Sequence, residues 1–181
     1  MKLKPYKGAG VALFKKVLKK IKKYIFIALF YKGGGIALFQ KLPDGGYAII
    51  LGKRVYNPGA EKWSIPCGGW NPQKDKTLAD TAKREFEEEI FKNKKRFETL
   101  INEYNAKLLG EWKLFNRWTT LIYEINQSFE APKEFSYEFS KLKFIPLSKL
   151  GDYKLAFGVK REIKKFLKRS GERTVTPAWS L

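Results

Sequence analysis

The sequence predicts an α/β fold in which a mixed sheet lies between helical layers. Three observations predict it. Two short apolar runs flank the turn signal Pro43-Asp44-Gly45-Gly46, which reads as a β-hairpin. The segment after residue 77 carries Ala79, Ala82, Phe86 and Ile90 at helical spacing. Residues 118–125, WTTLIYEI, are rich in β-branched and aromatic residues and read as a central strand.

Taken in order, residues 11–30 read as a cationic amphipathic helix, with Leu13, Phe14, Val17, Leu18, Ile21, Ile25 and Leu29 recurring between lysines. Its uncharged part, residues 24–31, falls far below the ~20 residues of a membrane span. No small-residue cleavage site follows, which argues against a signal peptide. Such a helix can pack its stripe on the domain, lie on an anionic membrane surface, or grip a polyanion. Residues 6–16 (YKGAGVALFKK) and 31–41 (YKGGGIALFQK) repeat one another, and two copies are too few for a solenoid. The domain is expected to span 33–170, after a basic extension at 1–32 and before a loose tail at 171–181.

Within the domain, residues 35–40 and 47–51 form the hairpin strands, and Trp63 to Pro66 a short extended piece. Asp75 or Thr77 can cap the next helix. Residues 94–108 suit a further helix, with Phe97, Leu100, Ile101 and Tyr104 on one side. Residues 142–146 read as a strand and 160–168 as a terminal helix.

Composition narrows the chemistry. The chain has 181 residues, one cysteine and no histidine. That excludes a disulfide framework, His-based triads and His metal sites, and the lone cysteine fits a reducing compartment, so a cytoplasmic protein is expected. Acid-base work falls to carboxylates, Lys, Tyr or a metal-bound water. The formal charge of +19 favours anionic partners: nucleotides, RNA or acidic lipid headgroups.

The densest chemistry lies in residues 63–91, WSIPCGGWNPQKDKTLADTAKREFEEEIF. Glu85, Glu88 and Glu89 stand three and four residues apart, so their carboxylates share one helix face. Like charges this close repel, and a hard cation such as Mg²⁺ or Mn²⁺ relieves the repulsion and favours phosphate substrates.

This stretch resembles the Nudix box, Gly-x5-Glu-x7-Arg-Glu-U-x-Glu-Glu-x-Gly-U with U apolar. Arg84, Glu85, Phe86, Glu88 and Glu89 match its second half in register. Trp63 to Gly69 resembles the Trp-x-apolar-Pro-Gly-Gly approach to the box. Three positions depart from the pattern. Gly69 to Arg84 is one residue too long, Lys76 stands where the first Glu belongs, with Asp75 beside it, and Phe91 replaces the last Gly. The resemblance covers residues 33–170 and implies a Nudix-like α/β/α sandwich that hydrolyses a diphosphate linkage in a nucleoside diphosphate derivative or related organic pyrophosphate.

It also implies roles. Glu85, Glu88 and Glu89 would be metal ligands, with Glu88 also catalytic. Arg84 would orient them. Glu138, with Glu134 in reserve, would be a base or further ligand. Arg54, after the second strand, would touch phosphate. From the residues themselves, Gly68 and Gly69 suit close approach of a ligand through positive φ, and Lys76 could meet a phosphate. Trp112, Phe115, Trp118 and Tyr123 could stack on a base. The altered first half of the box keeps a second reading open, a non-catalytic domain that binds nucleotide or RNA. Peripheral membrane contact through residues 11–30 is compatible with either.

Overall fold

The computed structural model describes residues 31–57 and 59–171. The basic helix expected at 11–30, the first copy of the repeat and the tail beyond 171 lie outside the described residues.

The second repeat copy becomes strand β1, Gly33–Lys41. The chain reverses where Leu42 N–H donates to Gly46 O at 2.8 Å and Gly45 takes φ +84°. Strand β2, Tyr47–Arg54, returns antiparallel from Lys41↔Tyr47 to Phe39↔Ile49. The two then diverge. β2 goes on to pair with the short β3, Trp63–Ser64, and the start of β1 pairs with β4, Cys67–Gly69. The Cys67-Gly68-Gly69 segment is therefore a strand rather than only a turn.

Helix α1 spans Leu78–Phe91. Thr77 caps it, with Thr77 and Asp80 each accepting from the other's backbone N–H in a capping box. Asp75, the other capping candidate, is engaged elsewhere. Helix α2, Phe97–Glu103, is shorter than the predicted 94–108. Asn105 takes φ +47°, ending the helical run, and the chain turns into β5, Lys107–Leu114. The helical spacing of Leu100, Ile101 and Tyr104 says nothing of where the run must stop. β6, Trp118–Ile125, pairs antiparallel with β5 and parallel with β1 along eight registered positions. It is an interior strand, as predicted. β7, Phe139–Pro146, pairs antiparallel with β2. A 3₁₀ turn, Leu147–Asp152, and helix α3, Val159–Ser170, complete the domain.

The seven strands form one mixed sheet with a core on each face. Alternation along β1 divides it. Ile36 and Leu38 face α1 and α2, where Phe86, Ile90, Phe97 and Leu100 are fully buried. Ala37 and Phe39 face α3, and the Phe39 ring stacks on Phe166 at 3.7 Å. Each large side chain so buried contributes about 1.5–3 kcal/mol. This is the α/β/α sandwich the sequence implies. Glycine is required where α1 crosses the sheet, because a Cβ on Gly34 would meet the Leu78 carbonyl and Ala82.

Candidate active site

Helix α1 buries Phe86 and Ile90, and its four glutamates divide into two tasks. Glu87 is buried and structural: its carboxylate accepts from Phe97 N–H at 2.9 Å and Arg96 Nη1 at 3.0 Å, anchoring the start of α2. Glu85, Glu88 and Glu89 lie on the face predicted for them.

Arg84 organises that face. Its Nη1 donates to Glu85 Oε1 at 2.8 Å and Glu88 Oε2 at 3.0 Å. Nη2 donates to Gly69 O at 2.8 Å and Asp75 Oδ2 at 2.9 Å, and Nε donates to Asp75 Oδ1 at 2.8 Å. All five N–H donors of the guanidinium are used. Asp75 is buried and also accepts from Asn71 N–H and the Thr81 hydroxyl. Burial alone would raise its pKa; the Arg84, Asn71 and Thr81 donors outweigh it and hold the carboxyl below its usual value. Asp75 is thus the acid that locks Arg84 in place. Lys76 is exposed. The longer loop lets the shorter acid reach inward one residue early.

Glu89 is the deepest of the acids, 1% exposed. Its Oε2 accepts from Cys67 N–H at 2.7 Å, and its Oε1 has no partner among the described residues. Burial pushes its pKa well above the ordinary range. The charges of Glu138 and Glu85 add to the rise, against the Cys67 N–H and Arg54. Glu85 is raised by burial first, offset by Arg84, with Glu88 and Glu138 raising it further. Glu138, half-buried just before β7, therefore lies close enough for its charge to act on both acids. Glu134 does not: it is exposed and pairs with Lys94 at 2.7 Å.

Gly68 and Gly69 both lie outside the positive-φ region, which corrects the reason expected for them. At Gly68 space is the constraint, since a Cβ there would fall inside the Glu85 carboxylate and displace it. Gly69 meets nothing and contributes its carbonyl to Arg84. Arg54, at the end of β2, lies close enough for its charge to act on Glu89, and its Nε is buried without a partner among the described residues. Burial and then the Glu89 charge push the Cys67 thiol up to about 12, which favours its neutral form.

Beside Arg54 and Cys67 opens a cavity of about 310 Å³. Trp118 and Phe157 line it with Ile65 and Ala156, and the Trp118 ring stacks on Tyr31 at 5.7 Å. Of the other aromatics predicted to stack, Tyr123 packs in the core against Phe97, Trp112 lies under the Arg161 guanidinium at 3.6 Å, and Phe115 is exposed. The residue that sequence reasoning missed is Glu162 of α3. It lines the cavity at 3% exposure, and burial pushes its carboxyl up to about 7. The only sequence signal for it is an acid on the apolar face of a basic helix, beside Ile163.

Among the described residues, no three acids already converge as a ready metal site. Arg84 takes one oxygen from each of Glu85 and Glu88. The donor set nevertheless fits a hard divalent cation. Buried, mutually repelling carboxylates and the orphaned Glu89 Oε1 are what such an ion would satisfy.

With the fold and this acid face in view, comparison with known proteins settles the family. Residues 35–169 match the NUDIX domain, and the chain belongs to that family. No curated protein matches the chain. Among solved structures, the NUDIX domain of Shewanella oneidensis NrtR complexed with ADP ribose is 19% identical, with 84% of this chain and 97% of that chain covered and a TM-score of 0.56. A C. elegans Ap4A hydrolase binary complex is 18% identical, covering 77% and 98%, with a TM-score of 0.56. A bifunctional NMN adenylyltransferase/ADP ribose pyrophosphatase from Francisella tularensis, complexed with AMP and a manganese ion, is 18% identical, covering 86% and 47%, with a TM-score of 0.50. At these identities the likeness is one of fold. Among the described residues, no helix is long and apolar enough to cross a membrane.

Proposed function

We propose that the protein is a Mg²⁺- or Mn²⁺-dependent hydrolase of a diphosphate linkage, acting on a nucleoside diphosphate derivative or a related organic pyrophosphate. The observation that carries this is the juxtaposition of the acid cluster with Arg54 and the aromatic-lined cavity. Glu85, Glu88 and Glu89 would hold the ion, which would supply Lewis acidity and neutralise diphosphate charge. Arg54 offers a cation to a phosphate oxygen at the border between cluster and cavity. Arg84, fixed by Asp75, holds Glu85 and Glu88 in place. Glu138 takes the proton of the attacking water as the new P–O bond forms. The P–O bond to the leaving phosphate breaks, releasing two phosphate-bearing fragments. The solved relatives carry ADP ribose in one case and AMP with manganese in another, which supports a nucleotide as ligand.

A second reading is a domain that binds nucleotide or RNA without turnover. The Arg84 bridge favours it, because it occupies oxygens of two of the three metal acids. A product-release screen over nucleoside diphosphate derivatives, with and without Mg²⁺ or Mn²⁺, separates the two. Metal-dependent release supports the hydrolase; tight binding with no release under any metal supports the binding domain.

A further inference from the structure

Glu162 has no use in the reaction just described, and its surroundings are unusual for a structural acid. It sits on the buried side of α3, whose neighbouring buried residues are Val159, Ile163 and Phe166. Its Oε1 accepts a long bond from the Thr120 hydroxyl, 3.5 Å, with Arg161 Nη2 at 3.9 Å. The Arg161 guanidinium is itself laid over the Trp112 ring. Its Oε2 is buried and has no partner among the described residues. A buried acceptor left unmet is costly and calls for a reason.

The cavity supplies one. At about 310 Å³ it stands at the small end of the roughly 300–1,000 Å³ range of ligand pockets, room for one flat ring system. Trp118 and Phe157 offer aromatic surface, and among the described residues Glu162 is the only carboxylate on its lining. Its other end, at Cys67 and Arg54, adjoins Glu89, so a ring in the cavity leaves its phosphates at the acid cluster.

We propose that Glu162 is the specificity-determining residue of this cavity, and that it selects a nucleobase whose edge carries two adjacent N–H donors, the arrangement guanine has and adenine lacks. A carboxylate accepts two parallel hydrogen bonds from such an edge. An edge that brings an acceptor instead leaves Glu162 as unsatisfied as before and sets lone pair against lone pair. The placement of the phosphates rests on the hydrolase reading; the choice of base does not.

Calorimetric titration of the full chain with GMP, IMP and AMP in EDTA tests this without metal or turnover. GMP is expected to bind roughly tenfold to a hundredfold more tightly than AMP, the value of a hydrogen-bonded pair to a charged group. IMP, with one donor, falls between. Glu162→Gln keeps the size of the side chain and replaces one acceptor by a donor. It should erase the guanine preference and move it toward AMP. Phe157→Ala, at a partly exposed position, should weaken GMP and AMP by similar factors and leave their ratio intact. If Glu162→Gln does not fold, the order GMP, IMP, AMP in the wild type and in Phe157→Ala still decides. Equal binding of GMP and AMP, no binding of any of the three, or an unchanged preference in a folded Glu162→Gln would overturn the assignment. Failure of hydrolysis in the metal-dependent screen would leave this result readable by itself.

Discussion

Replacing Asp75 with Ala should cost the protein more than any other single change in its loop. The change removes four hydrogen bonds at once: from Arg84 Nε, Arg84 Nη2, Asn71 N–H and the Thr81 hydroxyl. It also leaves the mostly buried Arg84 without its principal counter-ion. Breaking a buried pair by removing one partner costs about 3–5 kcal/mol, and the partial exposure of Arg84 sets the expectation near the lower end, about 3 kcal/mol. For a chain of this size that corresponds to a fall of about 6–12 °C in melting temperature. The pH dependence has a definite sign. The folded state holds the Asp75 carboxyl below its unfolded value, so its contribution is complete above pH ~4 and fades as pH falls through the lower folded value. Urea unfolding of wild type and Asp75→Ala should therefore show the full gap at pH 7 and pH 5 and a shrinking one below pH 4. Lys76→Glu is the control: an exposed position, with a change within about 0.5 kcal/mol. A gap under 1 kcal/mol for Asp75→Ala at pH 7, or a larger effect from Lys76→Glu, would refute the reasoning.

Three further outcomes are expected. Gly68→Ala drives a methyl into the Glu85 carboxylate; overpacking of this kind costs about 1–3 kcal/mol, and Mn²⁺ affinity should fall while circular dichroism stays native. Glu162→Gln should stabilise the fold at pH 8 and not at pH 4. The folded carboxyl is raised to about 7, so the cost of ionising it, about 3 kcal/mol, is absent below the unfolded value and complete above 7; equal urea midpoint differences at the two pH values would count against it. Removing residues 1–30, with nine lysines before any acid, should weaken binding to RNA or anionic vesicles in a salt-dependent way and spare small-nucleotide hydrolysis, measured as affinity and turnover on the same preparation.

The parts of the fold legible in the sequence are those where one periodicity runs between strong punctuation. Pro43 to Gly46 marks the hairpin, and Ala82, Phe86 and Ile90 mark α1, so the acid face follows from spacing alone. β5 was not legible, because Leu108 and Leu109 continue the apolar run of α2 and only the left-handed Asn105 breaks it. Gly33 and Gly34 lie in β1 against the usual preference of strands; their reason is the close approach of β4 and α1. At the site, register points to Lys76 as the departure from the motif, whereas side-chain reach decides that Asp75 fills the role beside Arg84. Glu162 could not be tied to Arg54 and Cys67 from sequence, because only the packing of α3 against the sheet brings them to one cavity.

The central claim is that Glu85, Glu88 and Glu89 form a divalent-metal site at the diphosphate. Titrating Mn²⁺ into the wild type and into a Glu88→Gln, Glu89→Gln double variant, followed by the loss of the free-ion electron paramagnetic resonance signal, tests it most directly. The account predicts a site in the wild type that the double variant weakens severely or loses, with both proteins folded. Equal Mn²⁺ binding by the two would contradict it.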